Sequence, residues 1–230
     1  MIKAVFFDYF NTLAYFTPPR ETTYADIANK LGVKVTPEAV DAALPEADMY
    51  WRQENFKSPI RERADKDKYP TYTEYGLRIL KNAHPAATPE QALQMLAEAF
   101  KKGFKFVAYE DSLPALQAVK AKHLKAGLVS NIGQEIDSYC EELGFAPYLD
   151  FKVTSFEVGY DKPHPEIFEL ALQRAGVPAD QAIYIGDQYD VDVLGARGVG
   201  ITPILIDRKG KAGYLDCIII NNLLQIVKYI

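Results

Sequence analysis

The chain has 230 residues, 48% of them apolar and 25% charged, with a net charge of -5. That length buries a substantial core, either as one large domain or as a core with a smaller insert. The acidic balance gives no reason to expect nucleic acid as a partner, and no apolar run approaches the ~20 residues that span a bilayer, so no membrane segment is expected.

Cys140 and Cys217 lie far apart without metal-ligand spacing, which points to core packing in a reducing compartment. The opening Met1-Ile2-Lys3-Ala4-Val5-Phe6-Phe7 is too short for a signal peptide and runs straight into a motif. A cytoplasmic location is the expectation.

Taken in chain order, Ala4-Val5-Phe6-Phe7 is a continuous apolar run that ends at Asp8. Such runs suit strands covered on both faces of a parallel sheet. The character changes from residue 16 to about 110, where helical patterns appear without a clear strand. Helices are expected over residues 22–31, from Thr36 as N-cap to Phe56, over residues 71–83, and from Thr88-Pro89-Glu90 to near Gly103. The second of these is expected to reach Phe56 unless Pro45 kinks or breaks it. The charge run over residues 61–68 reads as a solvated surface turn.

Alternation then sets in. A helix is expected over residues 112–123, with Ser112 as N-cap and Pro114 in its first turn, followed by a strand over 125–129 that ends at Ser130-Asn131. A helix over 135–143 leads to a short strand over 151–154. A helix over 165–175, closed by Gly176, leads to a strand over 182–185 that ends at Gly186-Asp187. A helix over 191–199 and strands over 202–206 and 217–220 complete the chain. The pattern predicts an α/β fold, a doubly wound parallel sheet (Rossmann-like core) made of residues 1–15 and 111–230, with residues 16–110 as an all-helical cap insert. Ligands of such sheets bind outside the carboxyl ends of the strands, and the polar residues of this chain fall there.

Four of those ends carry candidate chemistry. Asp8 opens a tight turn, Asp8-Tyr9-Phe10-Asn11-Thr12, from which a carboxylate can attack an electrophile and form a covalent intermediate. Ser130-Asn131 offers a hydroxyl and an amide that can donate to an anion. Lys162 stands just before a helix in Lys162-Pro163-His164-Pro165, a point charge suited to phosphate or to a buried carboxylate. Gly186-Asp187 is followed by Asp190 and Asp192, oxygen donors of the kind magnesium takes.

In order and setting these segments resemble the haloacid dehalogenase-like hydrolase superfamily, in the branch whose helical cap is inserted after the first strand. The resemblance implies Asp8 as nucleophile, Thr12 and Ser130 as holders of the transferring group, and Lys162 as the neutralising cation. It implies Mg2+ at Asp8, Asp187 and the Phe10 carbonyl, with Asp192 supporting the metal waters or the lysine. Asn131, Phe10 and Arg52 are the further candidates for contact with a small-molecule substrate.

Most phosphatases of the family carry a second Asp two residues after the nucleophile, as general acid and base. Phe10 stands there and cannot transfer a proton, a role typically worth ~10²–10⁴-fold. The 2-haloacid dehalogenases also lack that Asp, and Trp51-Arg52-Gln53 looks like their cap helix. Asp187 weighs the other way, because those enzymes need no metal and have a neutral residue at that place. The leading expectation is a Mg2+-dependent phosphatase of a small phosphorylated metabolite through an aspartyl-phosphate on Asp8. A metal-independent 2-haloacid dehalogenase through an aspartyl ester is the alternative, and a low-activity binding or regulatory member of the fold is the second.

Overall fold

The computed structural model describes residues 1–81, 84–131 and 135–230. The chain opens with β1 (Ala4–Phe7), turns into β2 (Ala14–Thr17), and passes through α1 (Arg20–Lys30), α2 (Pro37–Lys57), α3 (Asp65–Lys81) and α4 (Pro89–Lys102) to β3 (Lys105–Ala108). Alternation follows: α5 (Ser112–Ala121), β4 (Lys125–Ser130), α6 (Ile136–Glu142), β5 (Phe151–Thr154), α7 (Ser155–Val158), α8 (Pro165–Ala175) and β6 (Ala182–Gly186). A π-helical turn, Tyr189–Val193, runs directly into α9 (Leu194–Gly198), before β7 (Thr202–Ile206) and β8 (Ile218–Ile220).

Six of these strands form one sheet in the order β5-β4-β1-β6-β7-β8, and each neighbouring pair is parallel. The chain fills the β4-β5 side of β1 first and the β6-β7-β8 side afterwards, so the strand order switches at β1. Crevices at such switch points are where open α/β sheets bind ligands. Strand alternation divides the core between the two faces. Ala4, Phe6, Val129 and Tyr184 pack with Ile167 and Phe168 of α8, while Val5, Phe7, Leu128 and Ile185 pack with Leu116 and Val119 of α5. A sheet covered on both faces is what the unbroken apolar runs require.

By its internal contacts the chain forms two units, Met1–Tyr15 with Phe106–Ile230, and Phe16–Lys105. The second contains α1 to α4 around a core that includes Tyr24, Ile27, Val40, Leu44, Leu80, Met95 and Leu96. Thr36 caps α2 by accepting from Ala39 N, and Thr88 forms a capping box with Gln91 at the start of α4. A half-buried Arg20–Asp48 pair at 2.7 Å, to which the Tyr75 hydroxyl donates at 2.9 Å, sits within this unit. Trp51 packs on Tyr75 and Tyr72, with ring centroids 5.3 and 5.5 Å away.

Several local expectations are corrected. The insert is not purely helical at its margins, since β2 and β3 pair in a two-stranded sheet. Each is four residues long, too short for a period of two to stand out in sequence. The second helix runs unbroken through Pro45. The third starts at Asp65, ahead of Pro70, so part of the charge run is helical; its expected last residues, Asn82 and Ala83, lie outside the described residues. Arg63 is no solvated turn residue either, because it bonds Glu54 and Thr71. Ser112 is the first residue of α5 rather than its cap, and its buried hydroxyl donates to Leu13 O at 2.7 Å. Both cysteines are free, Cys140 in the core and Cys217 half-buried. Among the described residues no helix is long and apolar enough to cross a membrane.

Candidate active site

Asp8 follows β1 directly, and its backbone N–H donates to Ile185 O of β6 at 2.8 Å, which locks the strand end beside Gly186. The next residues close a tight turn: Leu13 N and Ala14 N both donate to Tyr9 O, and Asn11 N donates to Ala14 O. Asn11 takes φ 59°, a left-handed conformation that asparagine tolerates better than most residues. Arg208, just past β7, fastens this turn from outside. It donates to Thr12 O at 2.6 Å, forks onto Asp111, and lies over the Tyr109 ring at 3.6 Å.

Lys162 is buried, and its Nζ lies 2.6 Å from Asp8 Oδ1 and 2.7 Å from Asp192 Oδ1. Its backbone is held by Asn131, whose Oδ1 accepts from Lys162 N at 2.7 Å and whose Nδ2 donates to Lys162 O at 3.2 Å. Any hydrogen bond this amide donates to substrate therefore falls to the second hydrogen of Nδ2. Asp192, on the π-helical turn, also accepts from Gln188 N through Oδ2 at 3.0 Å. A Cβ at Gly186 would stand 2.2 Å from Asp192 Cγ, so a glycine is what lets this carboxylate close on the strand end.

Asp8, Asp187 and Asp192 bring carboxylate oxygens within 4.8 Å of one another. Burial pushes Asp8 up to about 6, with Lys162 pulling down and Asp192 pushing up. Burial, followed by the charges of Asp8 and Asp192, holds Asp187 well above the usual carboxylate range, against a hydrogen bond from the Asn11 side chain. Burial by itself would lower Lys162; Asp192 and Asp8 outweigh it and hold the ammonium above the usual lysine value. Asp187 as a whole is only half-buried, yet its Oδ1 is out of contact with solvent and finds no hydrogen-bond partner among the described residues. An orphaned carboxylate oxygen in a cluster of acids fits a hard divalent cation that takes oxygen ligands.

Thr12 Oγ1 is likewise buried without a hydrogen-bond partner among the described residues. Ser130 is buried at the end of β4. Phe10 is half-buried, with its ring edge-on to Phe106 at 6.2 Å. The arrangement thus joins Asp8, Lys162 and Asp192 through direct contacts and brings an Asp187 oxygen within 4.8 Å of the other two carboxylates, with Ser130 at the end of β4 and Phe10 and Thr12 in the turn after Asp8. Arg52 belongs to the other unit, half-buried on α2.

The family model for haloacid dehalogenase-like hydrolases matches residues 2–200. The chain belongs to this family. Among curated relatives of this haloacid dehalogenase-like hydrolase, the glyceraldehyde 3-phosphate phosphatase of Methanothermobacter thermautotrophicus is 31% identical over 210 residues, covering 90% of this chain and 86% of that one. The haloacid dehalogenase-like hydrolase domain-containing protein 3 of Danio rerio is 38% identical over 109 residues, 47% of this chain and 45% of that one, so that match spans less than half of the relative. A solved 2-haloacid dehalogenase from Pseudomonas syringae is 25% identical with a TM-score of 0.59, covering 100% of this chain and 99% of that one.

Three residues around this cluster were not singled out as site residues in the sequence: Tyr184, Asn11 and Arg208. A tyrosine inside a buried strand is a signal in itself, because its hydroxyl needs a partner there. Tyr184 OH lies 2.7 Å from Lys162 Nζ. Asn11 was legible as a turn residue but not as a neighbour of Asp187. Arg208 lies 196 positions from Thr12 and carries no local signal.

Proposed function

We propose that this hydrolase is a magnesium-dependent phosphatase of a small phosphorylated metabolite, working through an aspartyl-phosphate on Asp8. The observation that carries the reading is the charge balance at the strand ends. Three carboxylates gather there, and the ion-pair partner that Asp8 and Asp192 have among the described residues is the single ammonium of Lys162. A haloacid carboxylate would add a further negative charge to this excess. A divalent cation removes the conflict.

Asp8 presents its carboxylate to phosphorus, with one oxygen held by Lys162 and the other left to attack. The hydroxyls of Thr12 and Ser130 receive the phosphoryl oxygens, and Lys162 offsets charge on nucleophile and substrate. Asp192 keeps Lys162 in place. Asp8, Asp187 and the Phe10 carbonyl would hold Mg2+, which when bound offsets the repulsion between anionic substrate and anionic nucleophile. The likeness to a glyceraldehyde 3-phosphate phosphatase supports a phosphorylated metabolite of that size as the first substrate to try.

Phe10 shapes the substrate preference. With no proton donor at that position, phosphates with good leaving groups are favoured over alkyl monoesters. The same residue favours the second reading, a metal-independent 2-haloacid dehalogenase, in which halide leaves without a proton.

The two separate in a paired assay of p-nitrophenyl phosphate and acetyl phosphate, with Mg2+ and with EDTA, beside halide release from 2-chloropropionate. The expected result is phosphate release that needs Mg2+ and is faster on acetyl phosphate. Halide release undiminished by EDTA would overturn the phosphatase reading.

A further inference from the structure

Lys162 comes from a stretch between α7 and α8 that belongs to no helix or strand, yet its head group must hold one position against Asp8 through each turnover. An ammonium has three N–H donors. Here they meet Asp8 Oδ1 at 2.6 Å, Asp192 Oδ1 at 2.7 Å and the Tyr184 hydroxyl oxygen at 2.7 Å. The third partner differs from the other two in being neutral and in being carried by the sheet itself.

Tyr184 is fully buried in β6, in register with Phe6 of β1, and its ring meets Phe168 of α8 edge-on at 5.1 Å. Its hydroxyl has two acceptors in reach for its own hydrogen, Asp192 Oδ1 at 3.1 Å and Val129 O at 3.2 Å. The oxygen is thereby fixed to the floor of the sheet between β4 and β6. Two carboxylates alone define a line along which the ammonium can slide between Asp8 and Asp192. A third, immobile acceptor off that line turns the line into a fixed point.

We infer that Tyr184 is a positioning residue for catalysis, whose hydroxyl holds the Lys162 ammonium in register with the nucleophile Asp8. This deepens the functional reading above and rests on its assignment of Asp8 as nucleophile. It asks nothing of the leaving group, so it applies equally to phosphate and to halide release. Without the hydroxyl, the third N–H of the buried Lys162 loses its partner, and the head group is free to settle toward Asp192. Asp8 then loses the restraint that leaves its other oxygen aimed at substrate.

Tyr184→Phe tests this, because it removes one oxygen and keeps the ring that packs on Phe168. On whichever substrate the wild type turns over, kcat should fall about tenfold with KM within about twofold, since the lost contact is to a charged group. The decisive arm is a double-mutant cycle with Lys162→Met. Once the ammonium is gone, adding Tyr184→Phe should change kcat by less than about twofold, because the hydroxyl has nothing left to position.

A readout independent of turnover is the nitrogen resonance of the Lys162 ammonium, which should be sharp and protected in the wild type and broadened in Tyr184→Phe. An unchanged kcat, an undiminished effect of Tyr184→Phe in the Lys162→Met background, or an unchanged ammonium resonance would each overturn the inference. Full activity retained in Asp8→Asn would instead remove the nucleophile assignment, so the two failures are told apart.

Discussion

Asp8→Asn loses activity by on the order of 10⁴-fold or more, while the metal-free protein becomes more stable at neutral pH. The activity loss follows from replacing a carboxylate nucleophile by an amide that cannot form the covalent intermediate. The stability gain follows from the environment of Asp8. Its pKa is raised from 3.8 to about 6, chiefly by burial. A carboxyl raised in the folded state binds its proton more tightly when folded, so its contribution is present at low pH and is lost as pH rises through about 6. Above that value the wild type bears a penalty for keeping this charge buried. The isosteric amide does not carry that charge.

Thermal unfolding in EDTA should therefore show the two proteins close together below about pH 4, diverging as pH rises, with the variant's full advantage reached above about pH 6. Saturating Mg2+ should narrow the gap by stabilising the wild type, because a ligand that binds only the folded state stabilises it. A variant less stable than the wild type at neutral pH in EDTA would contradict the account of Asp8 as a buried, strained carboxylate.

Lys162→Met has the opposite signature. Activity falls by about 10²–10³-fold, the usual loss when one donor to developing charge is removed, and stability falls as well. Lys162 is held above the ordinary lysine value, its carboxylate partners outweighing the effect of burial. A cation raised in this way contributes stability that is complete below its unfolded pKa and is lost only as pH rises past it, so at neutral pH the whole contribution is present. Removing it leaves Asp8 and Asp192 buried without their shared partner. Breaking a buried pair on one side typically costs about 3–5 kcal/mol. Acidification should restore part of the loss by protonating the carboxylates, and Mg2+ should restore part of it at neutral pH. A Lys162→Met protein with wild-type stability across this range would show that the ammonium does not hold the site together.

The sheet was legible because parallel strands covered on both faces are written as unbroken apolar runs, and each run here ended in a polar residue at the crevice. That rule pointed to Asp8, Ser130 and Asp187 as candidates, and only their combination and the family resemblance gave them roles. Lys162 lies outside any strand, and its significance came from its companions rather than from its own surroundings. Tyr184 signalled a buried hydroxyl in need of a partner, but not which one; only the fold shows that it reaches the Lys162 ammonium. Asn131 was read as facing a ligand, but sequence could not show that its amide is turned to the Lys162 backbone. The strands β2 and β3 were missed because their pairing is between segments about 90 residues apart, and such non-local contacts leave no local period.

The measurement that reaches the central claim most directly is the fate of heavy oxygen from water during turnover. The protein is incubated in heavy-oxygen water with Mg2+, acetyl phosphate and 2-chloropropionate, and both the released phosphate and the peptide containing Asp8 are examined by mass spectrometry. If Asp8 is phosphorylated, water attacks phosphorus, so the label appears in phosphate and the Asp8 peptide keeps its mass. If Asp8 instead forms an ester with carbon, water attacks the Asp8 carbonyl. The label then enters Asp8 as chloride is released, and that result would contradict the phosphatase account.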